Sequence, residues 1–272
     1  MSLKNIKFVE LTSKYRPLGS QYHRDLDRVL SSGSFVLGSE VARLEESVKN
    51  LTNGNYAIGV GNGTDALILS IKAMDIGSGD EVITTPMSYL ASASSIAQCG
   101  ATAVFVDVDN SLNLDPKMIE QAITEKTKAV LVVHMAGIPA RMGKIMEIAN
   151  RHHLSVIEDC AQAFGAKYDG RSVGTFGRFG TFSFHPLKTP GTIGDGGLIL
   201  AEDKKDAEWL LQARNHGHKG RDECDFWSIN SRLDEIHAAI LINRLQRLDS
   251  ENENRIKIAK YYLKNIKNPK II

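Results

Sequence analysis

Only three cysteines occur in 272 residues, and Cys99, Cys160 and Cys224 lie far apart with no Cys-x-x-Cys pair. That speaks against a disulfide framework and against a structural zinc site. Neither charge is in surplus: 33 Lys and Arg stand against 32 Asp and Glu, a formal net charge of +1. No global field therefore recruits nucleic acid or an anionic membrane surface. No apolar run approaches a membrane span, and the N-terminal MSLKNIKFVELTSKYR has no apolar core of signal-peptide length. Internal repeats, low-complexity tracts and linkers are missing as well. What is left is a composition ordinary for a globular protein, expected in the cytoplasm and long enough for one large domain or two smaller ones.

From residue 56 onward the pattern is regular. YAIGV, EVITT, TAVFVDV, AVLVVH and LSVIED are short, β-branched apolar runs that read as strands. Between them DALILSIKAM, LASASSIAQ, PKMIEQAIT and ARMGKIMEIANRH read as helices. Strands that are apolar throughout, alternating with helices, predict a mostly parallel sheet covered on both faces, a three-layer α/β/α sandwich. Ligands of such sheets bind beyond the carboxyl ends of the strands. Residues 22–51 read as two helices around SSGSFVLGSE, and residues 204–218 and roughly 231–266 as further helices.

One stretch resists a purely structural reading. SFHPLKTPGTIGDGG, residues 183–197, joins the apolar runs FGTFSF and GLILAE and places Lys188 among proline and glycines. A lysine on a turn is ordinarily just solvated; the alternative is an amine held in place as a nucleophile. In GVGNGTDALIL, residues 59–69, Gly63 and Thr64 can offer backbone N–H groups to a phosphate at a helix start. An ordinary turn with Thr64 as N-cap reads equally well. Tyr89, after EVITT, can stack on a flat ring or pack over the next helical turn. LSVIED runs into Glu158-Asp159-Cys160-Ala161-Gln162. There Asp159 can pair with a cationic ring nitrogen and Gln162 with a phenolic oxygen, or Asp159 can simply cap a turn.

Two other chemistries are disfavoured. The glycine spacing is not GxGxxG, and the strand EVITT ends in Thr84-Thr85-Pro86 with no acid for a ribose, which argues against a nicotinamide-dependent Rossmann enzyme. His152 and His153 read as solvated. His216 and His218 have no carboxylate or cysteine at ligand spacing, so no metal site is expected. The order of the remaining features matters more than any one of them. A phosphate cradle, an aromatic stacker, a carboxylate and a lysine, each after a strand of one sheet, meet the requirements of pyridoxal 5'-phosphate.

The chain resembles the sugar aminotransferases of the DegT/DnrJ/EryC1/StrS family, fold-type I pyridoxal phosphate enzymes. The resemblance rests on GNGTDAL, DEVITTPMSYLASA, VIEDCAQAFGA, FSFHPLK, GDGG and INSRLDEIHAAIL, in the family's order, from about residue 10 to residue 265. It implies that Lys188 carries the cofactor, that Asp159 pairs with the pyridine nitrogen and that Gln162 faces the ring oxygen. It implies further that Ser183, Gly63 and Thr64 hold the phosphate and that Tyr89 stacks on the ring. Asn230 is expected to reach the phosphate of a neighbouring subunit, so a homodimer with shared sites follows. Family members that dehydrate sugars carry histidine where this chain has Lys188, so the resemblance points to transamination from an amino acid, L-glutamate, to a keto sugar, nucleotide-linked.

Two departures from the family pattern stand out. The segment His134-Met-Ala-Gly-Ile-Pro-Ala-Arg-Met142 has Ala136 and Arg141 where the family has a tyrosine and an acid. Family members also continue into a small closing domain. The expected organisation is therefore a pyridoxal phosphate-binding large domain over residues 1–245 and the start of a small C-terminal domain, largely missing, over residues 246–272. The alternative this raises is a cofactor-binding but catalytically impaired relative with a regulatory or interaction role.

Overall fold

The computed structural model describes residues 7–270; the outer ends of both expected domains, 1–6 and 271–272, lie outside the described residues. Three helices lead the chain, α1 (Leu11–Tyr15), α2 (Gly19–Ser32) and α3 (Ser39–Thr52). Strands and helices then alternate through β1 (Tyr56–Val60), α4 (Gly63–Ala73), β2 (Glu81–Thr84), α5 (Ala91–Gln98) and β3 (Thr102–Phe105). The alternation continues with α6 (Pro116–Ala122), β4 (Thr127–Val133), α7 (Met142–Arg151) and β5 (Ser155–Asp159). A small hairpin of β6 (Lys167–Tyr168) and β7 (Arg171–Ser172) precedes β8 (Phe179–Ser183) and β9 (Gly197–Ala201). Helices α8 (Lys204–Ala213), α9 (Glu235–Leu245) and α10 (Leu248–Asn265) follow.

Seven strands form one sheet in the order β1-β9-β8-β5-β4-β2-β3. β9 runs antiparallel to both of its neighbours, β1 and β8, and the other pairings are parallel. Every strand except β9 therefore points its carboxyl end to the same edge.

Alternation of side chains along a strand sorts the apolar runs onto two faces. Ala129, Leu131 and Val133 of β4 join one core cluster, and Val130 and Val132 join another. β9 divides in the same way, Ile199 and Ala201 from Leu198 and Leu200. The first face packs against α4 and α8 through Leu67, Leu69, Ile71 and Leu210. The second packs against α3 and α9 through Val41, Leu44, Val48 and Leu241, and against α7 through Ile145 and Ile148. Burial on both faces is why these strands read as unbroken apolar runs. The three-layer sandwich with a mostly parallel sheet is the fold observed.

The C-terminal third differs from the sequence reading in two places. The helix expected over 204–218 ends at Ala213, because Asn215 bridges to Asn230 and Ser231 N donates to Arg214 O, drawing the chain into a doubled-back loop. The helix expected over 231–266 is two helices. Its first residues are extended, since Asp234 bridges to Val36 and Leu233 is core. The Glu235 carboxylate then accepts from the N–H groups of Gly38, Glu40 and Val41, capping α3 from outside. α9 and α10 are separated at Gln246 and Arg247, where the chain bends so that both Leu245 and Leu248 are buried. Beyond Leu248, α10 leaves Tyr261, Tyr262 and Leu263 exposed. Among the described residues, no helix is long and apolar enough to cross a membrane.

Candidate active site

Gly197 opens β9 and pairs with Val60 on one side and Ser183 on the other. That register brings the start of α4 beside the end of β8. The cap of α4 is Asn62, not Thr64: Asn62 Oδ1 accepts from Asp65 N at 2.8 Å. Asparagine and threonine are both good caps, and the residue two positions earlier wins here. Thr64 and Gly63 instead occupy the first turn. Among the described residues, no hydrogen bond engages the N–H of Gly63 or Thr64. Free donors at the positive end of a helix suit an anion. Gly63, Thr64 and Ser183 all line a cavity of about 690 Å³ at the carboxyl edge of the sheet.

Asp159 ends β5, is 6% exposed and lines the same cavity. Its Oδ1 accepts from Ala161 N at 3.1 Å and its Oδ2 from the Ser92 hydroxyl at 2.8 Å. The capping role and the cavity-facing role thus coexist in one carboxylate. Gln162 also lines the cavity, and its Oε1 accepts from Ala136 N at 3.0 Å. The amide nitrogen is thereby left as a donor for an oxygen in the cavity. Ala136 serves that contact through its backbone, with φ of 53°, so the tyrosine of the family pattern is not needed for it. Tyr89 is 76% exposed and lines the cavity, which overturns the reading of a ring packed over α5.

Lys188 lines the cavity from a closed loop. Lys188 N donates to His185 O at 2.8 Å, and Thr192 N returns to Phe184 O at 2.8 Å. The loop curls so tightly at Gly191 that a Cβ there would meet His185 O at 2.7 Å. α1 grips it from outside. Lys14 Nζ donates to Pro186 O at 2.9 Å and to Lys188 O at 2.5 Å, and the Tyr15 hydroxyl lies 2.9 Å from both Pro186 O and Thr192 O. Burial, and then the nearby Arg244 charge, bring Lys14 down to about 8. Sequence reasoning missed Lys14, because no spacing rule connects two positions so far apart.

Asn230 is placed differently. It is exposed and does not line the cavity, but it adjoins Ser231. The Ser231 hydroxyl accepts from Gly61 N at 3.0 Å and donates to Asp65 Oδ2 at 2.7 Å, behind the cradle. Ser88, His185 and Asp195 line the cavity without having been singled out in the sequence. Arg141, the other departure, pairs with Asp109 at 3.1 Å. His134, Glu158 and Cys160 form a buried cluster one residue from Asp159. His134 Nδ1 accepts from Ala140 N, so Nε2 donates to Glu158 Oε2 at 3.0 Å. Glu158 accepts three more bonds, from the N–H groups of Gly174, Phe176 and Gly177, and is fully used as a structural clamp. Burial foremost pushes the Cys160 thiol well up, which leaves it inert as a nucleophile.

The residues present fit pyridoxal phosphate. Unclaimed helix donors and hydroxyls suit its phosphate, a carboxylate its ring nitrogen, an amide donor its ring oxygen, and an amine its aldehyde, all on one cavity. Fold and cavity define the large domain of a fold-type I pyridoxal phosphate transferase. The chain belongs to the DegT/DnrJ/EryC1/StrS aminotransferase family, whose profile matches residues 18–271. It is a pyridoxal phosphate-dependent aminotransferase.

The chain is 46% identical to a dTDP-3-amino-3,6-dideoxy-alpha-D-galactopyranose transaminase from Aneurinibacillus thermoaerophilus, over 97% of this chain and 73% of that protein. It is 44% identical to a "Pleiotropic regulatory protein" from Geobacillus stearothermophilus, over 95% of this chain and 70% of that one. Among solved structures, S. venezuelae DesV in complex with a ketimine intermediate superposes with a TM-score of 0.93 at 40% identity, covering 96% of this chain and 71% of DesV.

Proposed function

We propose that this aminotransferase moves an amino group from L-glutamate to a keto sugar carried on a nucleotide, in amino-sugar biosynthesis. The observation that carries the site assignment is that residues after β1, β2, β5 and β8, distant in sequence, line one cavity together with Lys188. The substrate class rests on relatives named as transaminases of dTDP- and UDP-linked amino sugars.

Bound pyridoxal phosphate supplies an aldehyde for the donor amine and a ring that holds the electron pair released at the donor's α-carbon. Lys188 Nζ would hold it and, once displaced by the donor amine, would take the proton from the donor's α-carbon and deliver it to the carbon that had been the cofactor's aldehyde carbon. The Asp159 carboxylate holds a proton on the ring nitrogen. Gly63 N–H, Thr64 N–H and the Ser183 hydroxyl bind the phosphate, Gln162 donates to the ring oxygen, and Tyr89 covers the ring.

The same reading includes a cytoplasmic homodimer in which Asn230 completes the partner subunit's phosphate site. Its support is the position of Asn230, exposed beside the cradle yet outside its own cavity, and the exposure of Phe35 and Val36 in the loop between α2 and α3, which we place at the same interface. We also take residues 1–245 as the cofactor-binding domain and 246–272 as the start of another, on the bend at Arg247 and the exposed apolar side chains of α10.

A second reading, a cofactor-binding protein with a regulatory role, has the name of the Geobacillus relative in its favour. One experiment separates them: the cofactor-loaded protein is incubated with L-glutamate and a panel of nucleotide-linked 3-keto and 4-keto sugars, and products are read by mass spectrometry. An amino sugar in any arm supports the transaminase. Bound cofactor with no product across the panel supports the regulatory protein.

A further inference from the structure

Asp159 is held by a chain of hydroxyls that the proposed reaction has not used. Ser92 is 1% exposed in the first turn of α5, and its Oγ stands 2.8 Å from Asp159 Oδ2. Ser88 Oγ stands 2.7 Å from Ser92 Oγ, and Ser88 lines the cavity beside Tyr89. An ionised carboxylate only accepts, so the Ser92 proton points to Asp159. The lone pairs of Ser92 are then free to accept from Ser88. The direction of the chain is therefore set as Ser88 to Ser92 to Asp159.

We propose that Ser92 is a positioning residue for the transamination site: its hydroxyl orients the Asp159 carboxylate toward the cofactor ring and holds it there. The inference rests on the reading of Asp159 given above. The carboxylate has two donors from the protein, Ala161 N and the Ser92 hydroxyl. With about four lone-pair sites, it has room for a third donor from the cavity. Rotation about χ2 would swing the carboxylate off the ring, and the two donors, one on each oxygen, oppose it. Removing the Ser92 hydroxyl leaves a nearly buried carboxylate with one donor fewer and freer to rotate, which weakens its hold on the ring-nitrogen proton.

The other charged or titratable groups near this carboxylate do not replace that hydroxyl. Glu158 faces away into its own four donors, His134 among them, and the Cys160 thiol is buried. Lys188, His185 and Asp195 approach from the loop across the cavity. Ser88 also ties the acid to the segment that carries Tyr89, so the two ring contacts share one support.

The test uses the full chain loaded with pyridoxal phosphate, comparing wild type with Ser92→Ala, Ser92→Thr, Ser88→Ala and Asp159→Asn. The absorbance of the bound cofactor is titrated against pH, and the half-reaction with L-glutamate is followed in single turnovers. For Ser92→Ala we expect a midpoint displaced by about one pH unit and a rate lowered about tenfold at nearly unchanged KM, the scale of one lost charge-assisted hydrogen bond. Ser92→Thr should restore both, and Ser88→Ala should show a smaller shift of the same sign, which keeps the idea testable if Ser92→Ala fails to fold. If Asp159→Asn alters the titration while Ser92→Ala and Ser88→Ala match wild type, the inference about Ser92 is wrong and the reading of Asp159 stands. If Asp159→Asn also matches wild type, Asp159 is only a turn cap, and both fall.

Discussion

Gly63 and Ser183 approach so closely that a side-chain carbon on Gly63 would stand 2.8 Å from the Cβ of Ser183 and 3.3 Å from its Cα. One of the two segments must move to admit a methyl group. Gly63→Ala should therefore separate the helix donors from the Ser183 hydroxyl and weaken cofactor binding at least about tenfold, with roughly 1–3 kcal/mol of overpacking cost to the fold. Titration of the apo-protein with pyridoxal phosphate, followed by absorbance, checks this. Gly19→Ala, where nothing lies within 4 Å, should bind as wild type.

Lys188→Ala should abolish covalent attachment of the cofactor, since Lys188 is the lysine whose side chain lines the cavity among the described residues. Borohydride reduction of the wild-type holo-protein and peptide mapping should put the label on Lys188. A label on another lysine would end the assignment.

Lys14 gives the fold a pH dependence of definite sign. Its folded value is about 8 against an ordinary 10.5. Between those values the unfolded chain binds a proton that the folded chain does not, so raising the pH through that window stabilises the native state through this group. Below about 8 both states are protonated, and the cost of burying the charge is fully felt. Urea unfolding midpoints of wild type and Lys14→Met, taken between about pH 7 and about pH 10, should shift relative to one another in favour of wild type as pH rises. Parallel curves would mean that Lys14 does not titrate in that range.

Composite sites have a statistical signature. If Asn230 serves the partner's phosphate, refolding Lys188→Ala and Asn230→Ala chains together creates heterodimers with one native site and one doubly defective site. Random pairing should restore about a quarter of wild-type activity from two nearly inactive parents. No recovery, or a monomer that holds cofactor fully, would leave Asn230 without that role.

The sheet was legible because a strand buried on both faces is apolar along most of its length, and YAIGV and AVLVV carry that mark. As residues lining the cavity, Lys188, Asp159 and Gly63 were legible for a related reason: each lies at the end of a strand or a few residues beyond it. Ser92 and Lys14 were not. Each acts on a residue brought near by tertiary packing, Ser92 across two strand ends and Lys14 from the first helix, and neither breaks a local pattern. At the start of α4 the ordinary-turn reading put the cap on Thr64, whereas Asn62, two residues earlier, takes that place. The bend at Arg247 escaped for the opposite reason, since α9 and α10 have no strong breaker between them and part where burial ends.

Among the described residues, strand β1 finds its hydrogen-bonded neighbour only in β9, at the far end of the alternating core. During synthesis the glycine-rich turn after β1 emerges early, yet it has no wall opposite it until Gly197 and Ser183 arrive. Non-local pairing of this kind forms late and slowly. A nascent chain therefore leaves this edge of β1 unpaired until residues 197–201 have emerged, and on the proposed site it acquires cofactor affinity in one late step. Loading with pyridoxal phosphate is in that sense a timestamp of completed folding.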